Sequence, residues 1–169
     1  MTATTDTLPH GTASIMEDCH YGGDLKYGAS VVKCIGGDEM TLLTIKKCIL
    51  EDALFIYECR YDETSNKYSM THNIPTIEEH IEWFSRYVQY YYKGCLGNVD
   101  LGFVRFVDTD IGIEVSICLH PKHRGYGYAV DMLMEAIKVR GEYEKMYATI
   151  QLRNMVSFKL FSKVSRMIK

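Results

Sequence analysis

The spacing of apolar residues changes period along the chain, and the changes predict the elements. Met40 to Ile45, with apolar Leu42, Leu43 and Ile45, reads as a strand. Glu51 to Arg60 reads as a helix: Ala53, Leu54, Tyr57 and Tyr61 recur at helical spacing, and acidic Glu51 and Asp52 suit its first turn. Tyr61 to Asn73 is polar and loop-like. Thr76-Ile77-Glu78-Glu79 after Pro75 is a capping box, and the helix it opens carries Ile77, Ile81, Phe84 and Val88 on one face. From Tyr90 the period shortens to two. Tyr90 to Cys95, Leu101 to Val107 and Ile111 to Leu119 predict three strands, and their short links predict an antiparallel meander. In the third strand Ile113, Val115, Ile117 and Leu119 alternate with Glu114, Ser116, Cys118 and His120, so one face is core and the other is polar enough to line a site. A helix over Val130 to Val139 buries Met132, Leu133, Ala136 and Ile137, and Gly141 stops it. Met146 to Ile150 is a further strand, which the helical crossover allows to lie parallel to Ile113–Leu119. Ser157 to Val164 is a short closing helix that packs through Phe158, Leu160, Phe161 and Val164.

The leader, residues 1–39, has no sustained period. Its first 15 residues are Thr-rich and predict an irregular arm; Gly22-Gly23 and Gly36-Gly37 bracket one candidate strand, Ala29 to Ile35. The chain thus divides into an extension, 1–39, and a folded domain, 40–169.

Composition narrows the function classes. A chain of 169 residues is long enough for one domain that buries its own core without a disulfide or metal staple. A formal net charge of −3 argues against nucleic-acid binding, which needs a basic face. No apolar run spans a bilayer, and Met1 to Asp6 lacks the basic and apolar regions of a signal peptide. The six cysteines have neither Cys-x-x-Cys nor zinc-type spacing and read as reduced thiols in a cytoplasmic protein. His120 and His123 bracket a proline, which argues against a metal pair.

Candidate chemistry concentrates at His120-Pro121-Lys122-His123-Arg124-Gly125-Tyr126-Gly127-Tyr128-Ala129, between strand and helix. The Walker pattern is absent, and the dinucleotide fingerprint G-x-G-x-x-G fails at Val130. What remains is R-x-x-G-x-A, from Arg124 to Ala129. Glycine lets the backbone approach an anion closely. The first N–H groups of a helix have no internal partner and carry the positive end of its dipole, so a pyrophosphate fits there. A glycine turn that merely starts a helix has the same local sequence.

The surroundings decide between these. Ile113 to Pro121 before the turn, Asn154-Met155-Val156-Ser157-Phe158-Lys159-Leu160-Phe161-Ser162-Lys163 after the next strand, Leu101 to Phe106 and Arg60-Tyr61-Asp62 together resemble the GNAT superfamily of acetyl-CoA-dependent N-acetyltransferases. In detail they are similar to the branch of ribosomal-protein N-terminal acetyltransferases and sugar-nucleotide amine acetyltransferases. The resemblance covers roughly residues 40–166. It implies an α/β (α+β) fold, with a mixed, mostly antiparallel sheet, one splayed parallel strand pair and flanking helices. It also implies acetyl-CoA between the strands ending near Leu119 and Ile150. The pantetheine would bond the backbone of Ile117, Cys118 and Leu119. The pyrophosphate would rest on the N–H groups of Arg124, Gly125, Tyr126, Gly127, Tyr128 and Ala129, and Asn154 and Phe161 would contact the pantetheine.

Attack of an amine on a thioester needs a base, because a lysine-like amine with a pKa near ~10.4 is mostly protonated at neutral pH. Glu114, where several relatives carry a glutamate, is the candidate; a carboxylate that orients substrate or pairs with a cation is the equal alternative. Many relatives place a tyrosine acid where this chain has Phe161, so thiolate protonation would need another donor, Tyr126 or Tyr147. Cys118 lacks triad neighbours and is not read as a nucleophile. Trp83, Arg86 and Tyr87 are candidates for the edge of an acceptor pocket.

Relatives normally add two strands after the last helix, whereas here only Ser165 to Lys169 follow. Ala29 to Ile35, from this chain or a dimer mate, is the expected replacement beside the 146–150 strand. Two functions follow: an N-acetyltransferase moving acetyl to a primary amine of a small molecule, an amino-sugar nucleotide or a protein N-terminus; or a non-catalytic acyl-CoA-binding module. The partners implied are an amine acceptor and a second copy of the chain, with no nucleic acid, membrane or metal.

Overall fold

A computed structural model describes residues 12–18, 32–34, 40–141, 143 and 145–168, with 12–18, 32–34 and Met40 as backbone only. The strands are β1 (Thr12–Asp18), β2 (Val32–Cys34), β3 (Met40–Lys47), β4 (Tyr91–Leu96), β5 (Val99–Thr109), β6 (Gly112–Leu119) and β7 (Lys145–Gln151). The helices are α1 (Ala53–Tyr61), α2 (Glu63–Lys67), α3 (Ile77–Tyr87), α4 (Tyr128–Arg140) and α5 (Met155–Met167). The sheet order is β1-β7-β6-β5-β4-β3-β2, antiparallel throughout except for the parallel pair β6–β7. The fold is the mixed, mostly antiparallel sheet with one parallel pair that the family resemblance implies.

Because strand side chains alternate between faces, neighbouring residues enter different cores. Tyr92, Val104, Val115 and Ile113 pack with Met132, Leu133, Ala136 and Phe161 under α4 and α5. Tyr91 and Phe103 pack with Ala53, Ile56, Cys59 and Phe84 under α1 and α3. The three consecutive tyrosines at 90–92 are therefore packing residues. Asp52 fixes the corner before α1, accepting from the Ile49 N–H at 3.0 Å and from Lys93 Nζ at 2.6 Å. Burial of Lys93 disfavours its charge, but Asp52 and Asp100 outweigh that and hold its pKa above the ordinary value.

Several expectations need correction. The buried stripe of α1 is Ala53, Ile56 and Cys59, with Leu54 half exposed to solvent. In α3 the buried residues are His80 and Phe84, while Ile77 and Ile81 are exposed. In α3 a polar anchor takes the inner face, where His80 Nε2 meets the Ala53 carbonyl at 3.0 Å, a partner that apolar spacing does not reveal. The 61–73 loop contains α2, because Asp62 caps it by accepting from the N–H groups of Thr64 and Ser65. The Thr76–Glu79 capping box forms in both directions, at 3.2 and 2.8 Å. The closing helix is longer than its apolar core, and Phe158 is exposed.

The leader differs most. Of the irregular arm expected at the start, residues 1–11 lie outside the described residues, but Thr12–Asp18 is a strand antiparallel to β7. Val32–Cys34, within the 29–35 stretch, pairs with β3 at the opposite edge of the sheet. Residues 29–31 and 35 lie outside the described residues. The strand that covers β7 therefore comes from earlier in the leader than expected. Pairing with β7 satisfies backbone groups that an open edge would leave to water or to another chain.

Candidate active site

The site is built where β6 and β7 part. They pair only at Ile113–Met146 and Glu114–Tyr147, so beyond Glu114 the two parallel strands separate toward their C-terminal ends. Ile117, Cys118 and Leu119 line the β6 side of that opening, paired on their other side with Val104, Phe103 and Gly102 of β5.

At the mouth the chain turns through Pro121–His123, a single 3-10 turn, into the glycine segment. Gly125 and Gly127 have φ of 83° and 78°, which side-chain-bearing residues adopt only with strain. Gly127 is the N-cap of α4 and supplies no side-chain cap, so no side chain at that position competes for the first N–H groups of the helix. Tyr126 is exposed, and its ring stacks at 5.9 Å on buried Tyr128.

Arg124 does not point its charge at this turn. Its guanidinium makes a bidentate pair with Asp62, at 2.8 and 2.6 Å, and also donates to Ser65 Oγ at 2.9 Å and to the Leu119 carbonyl at 3.0 Å. It ties the α1–α2 elbow to the end of β6. The pair holds the Asp62 carboxyl at about 2, against an ordinary 3.8, with the Arg124 hydrogen bonds as the main cause. A carboxyl with a depressed folded-state pKa stabilises the fold above its unfolded value and loses that contribution as pH falls through the folded one. The Asp62 contribution, on the order of 1–2 kcal/mol after allowance for solvent screening, is thus present above about pH 4 and gone near pH 2. Thermal unfolding of Asp62→Asn and wild type from pH 7 to pH 2 is expected to show a lower Tm for the variant at pH 7 and converging values in acid. A pH-independent difference would mean that ionisation of Asp62 is not the source.

The remaining sequence candidates divide by position. Glu114 is half-buried at the closed base of the opening, with Arg105 donating to its Oε2 at 3.3 Å. Cys118 faces α1: its thiol donates to the Cys59 carbonyl at 2.9 Å and lies 3.1 Å from Ser65 Oγ. Burial pushes that thiol up, away from a nucleophilic thiolate. Asn154 caps α5, accepting from the Ser157 N–H at 3.1 Å, which accounts for the Asn-x-x-Ser spacing. Phe161 is buried in the core, beside a cavity of about 40 Å³ shared with Val115, Leu133, Met146 and Ala148. Tyr147 Oη meets Thr109 Oγ1 at 3.2 Å, at the β5–β6 turn and away from the mouth. Among the described residues no cluster of His, Cys, Asp and Glu can hold a metal ion, and no helix is long and apolar enough to cross a membrane.

Sequence spacing misses a second group on the α1–α3 side. Arg60 donates to Tyr91 Oη at 3.0 Å and lies over Trp83, 4.7 Å from the ring centroid. Tyr91 pairs with Arg105 across β4 and β5, so Arg60, Tyr91, Arg105 and Glu114 form a continuous polar track along one face of the sheet. The signal at Arg60-Tyr61-Asp62 hinted at it, but Trp83 and Tyr91 lie 23 and 31 residues from Arg60.

A sheet split at one parallel pair, with a glycine turn and an uncapped helix at the split, is the architecture of acyl-CoA N-acyltransferases. Residues 43–165 match the family model described as acetyltransferase (GNAT) domain, and the chain belongs to that family. Solved structures agree. An N-acetyltransferase from Staphylococcus aureus Mu50 is similar at 28% identity and TM-score 0.56, over 72% of this chain and 81% of that one. Spermidine N-acetyltransferase from Vibrio cholerae, in complex with CoA and spermine, gives 17% identity and TM-score 0.63 over 72% and 79%. A phosphinothricin acetyltransferase from Sinorhizobium meliloti, in complex with acetyl-CoA, gives 19% and 0.60 over 72% and 73%. At those identities the last two speak for the fold alone. No curated protein matches the chain in sequence.

Proposed function

We propose that the protein transfers acetyl from acetyl-CoA to a primary amine by direct attack. The observation that carries this is the opening of β6 from β7 beyond Glu114, with the uncapped start of α4 at its mouth. An extended pantetheine arm matches the unpaired backbone edge of Ile117–Leu119. The N–H groups from Arg124 to Ala129 suit the pyrophosphate, and they act through the backbone, since the Arg124 side chain is engaged by Asp62. Asn154 contributes indirectly, by setting the start of α5.

Glu114 stands at the base of the opening, where the thioester end of the arm would lie. The amine nitrogen forms a bond to the thioester carbonyl carbon and the carbon–sulfur bond breaks. The proton lost by nitrogen passes to Glu114, directly or through water; the leaving CoA thiolate takes a proton from water, and Glu114 returns its own to solvent. No side-chain acid is required for the last step, because a thiol of pKa near ~8.5 is a fair leaving group. Phe161 has no proton to give, and that residue also supports the second reading, a module that binds acyl-CoA without turnover.

Thiol release from acetyl-CoA, measured against a panel of primary amines alongside calorimetric binding of acetyl-CoA, separates these. Amine-dependent release supports the enzyme. Binding without release leaves the non-catalytic module. Absence of binding removes both.

A further inference from the structure

The polar track beside Glu114 carries an excess of positive charge that the acetyl transfer itself does not use. Arg60 is half-buried and, among the described residues, has no carboxylate partner. Its hydrogen bond to Tyr91 Oη engages one N–H, and it also lies over the rings of Trp83 and, at 5.6 Å, Tyr61. A guanidinium has five N–H donors, so most of Arg60's fork is unclaimed. Arg105 is matched by Glu114, yet its Nε is buried without a hydrogen-bond partner. Two guanidiniums against one carboxylate leave one positive charge unbalanced in a half-buried region, where an unpaired charge is costly.

An acceptor that is only a cation makes this worse: its ammonium is drawn to Glu114, and any second ammonium meets Arg60 or Arg105. An acceptor that carries an anion balances the track. The planar fork of arginine suits carboxylate and phosphate oxygens, which it binds in pairs. Building on the acetyl-transfer reading above, we infer that the acceptor is an amine bearing an anionic group, carboxylate or phosphate, in the same molecule. Arg60, with Arg105, receives the anion, while the amine is presented to Glu114 at the opening between β6 and β7. Trp83 and Tyr91 hold Arg60 in place for this role.

The test compares amines of matched size: ethylamine, glycine, 2-aminoethyl phosphate and ethylenediamine, with kcat/KM corrected to the unprotonated fraction of each. Glycine or 2-aminoethyl phosphate is expected to exceed ethylamine by about 10-fold or more, with ethylenediamine lowest; the two anionic substrates separate a carboxylate site from a phosphate site. Arg60→Gln should abolish the anion preference by raising the acceptor KM about 10- to 100-fold, while the KM for acetyl-CoA stays as in wild type. Arg60→Lys, which keeps charge but loses the fork, should fall between. Arg60 is on a helix surface edge, so its variants test the idea even if Arg105→Gln fails to fold. Equal or better turnover of ethylamine, ethylenediamine or a peptide N-terminus, or an unchanged preference in Arg60→Gln, overturns the inference and leaves acetyl transfer standing. No thiol release with any amine overturns the acetyl-transfer reading, and this inference with it.

Discussion

Glu114→Gln is expected to lower kcat by about 10²–10⁴-fold, the range a positioned base supplies, with little change in the KM for acetyl-CoA. The amide keeps the shape and a hydrogen-bonding oxygen for Arg105 but takes no proton from the attacking nitrogen. The KM should hold because Glu114 lies at the closed base of the β6–β7 opening, away from the glycine turn at its mouth. One complication is built into the site: the change also removes the counter-charge of Arg105. Glu114→Asp separates the two effects, since it retains the charge and shortens the reach. A Gln variant within about threefold of wild type would remove Glu114 as the base.

Gly127→Val is expected to reduce kcat/KM for acetyl-CoA by about 100-fold, with the acceptor KM unaffected. Gly127 has φ 78° and ψ 11°, the left-handed region, in which a β-branched residue is a strained outlier. Relief of that strain must rotate the peptide planes on either side, and these carry the N–H groups proposed to hold the pyrophosphate. Loss of one charge-assisted hydrogen bond, worth ~1.5–3 kcal/mol, accounts for the magnitude. Gly127→Ala is the control, because its single methyl is less strained in the left-handed region than a β-branched side chain and offers no oxygen to the helix N–H groups. It should retain more of the binding measured by calorimetry than the Val variant. If the Val and Ala variants bind acetyl-CoA as well as wild type, the turn is only a helix start.

These two variants probe residues that differ in how visible they were. The glycine turn, the capping box at Thr76 and the alternation along β6 are local patterns, set by interactions among residues a few positions apart. Such interactions survive reading one stretch at a time, and each element they predicted is present. Glu114 and the core face of Ile113, Val115, Ile117 and Leu119 followed from the two-residue period of a strand. Helix faces were less legible. Apolar spacing put Leu54, Ile77 and Ile81 inside, whereas these are exposed and the inner face of α3 holds an imidazole bonded to a carbonyl 27 residues away.

Charge was the least legible of all. Arg124 beside the glycines suggests a cation for the phosphate, until Asp62, 62 positions earlier, takes up its guanidinium. Arg60 and Arg105 lie in segments that resemble the family, but nothing in their local sequence says that both meet Tyr91; α1 lying across β5 and β6 brings Arg60 to its hydroxyl. The same holds for the strand that covers β7. A seven-residue run pairs equally well with any free edge of suitable register, so its local sequence selects no partner; the sheet supplied one in Thr12–Asp18. The sequence by itself determined most of the elements after Met40, the family resemblance and the place of the glycine turn, because these depend on short-range periodicity and backbone conformation. The tertiary structure alone decided which charges neutralise each other and which remain for a ligand, because electrostatic pairing depends on distance in space and not on separation along the chain.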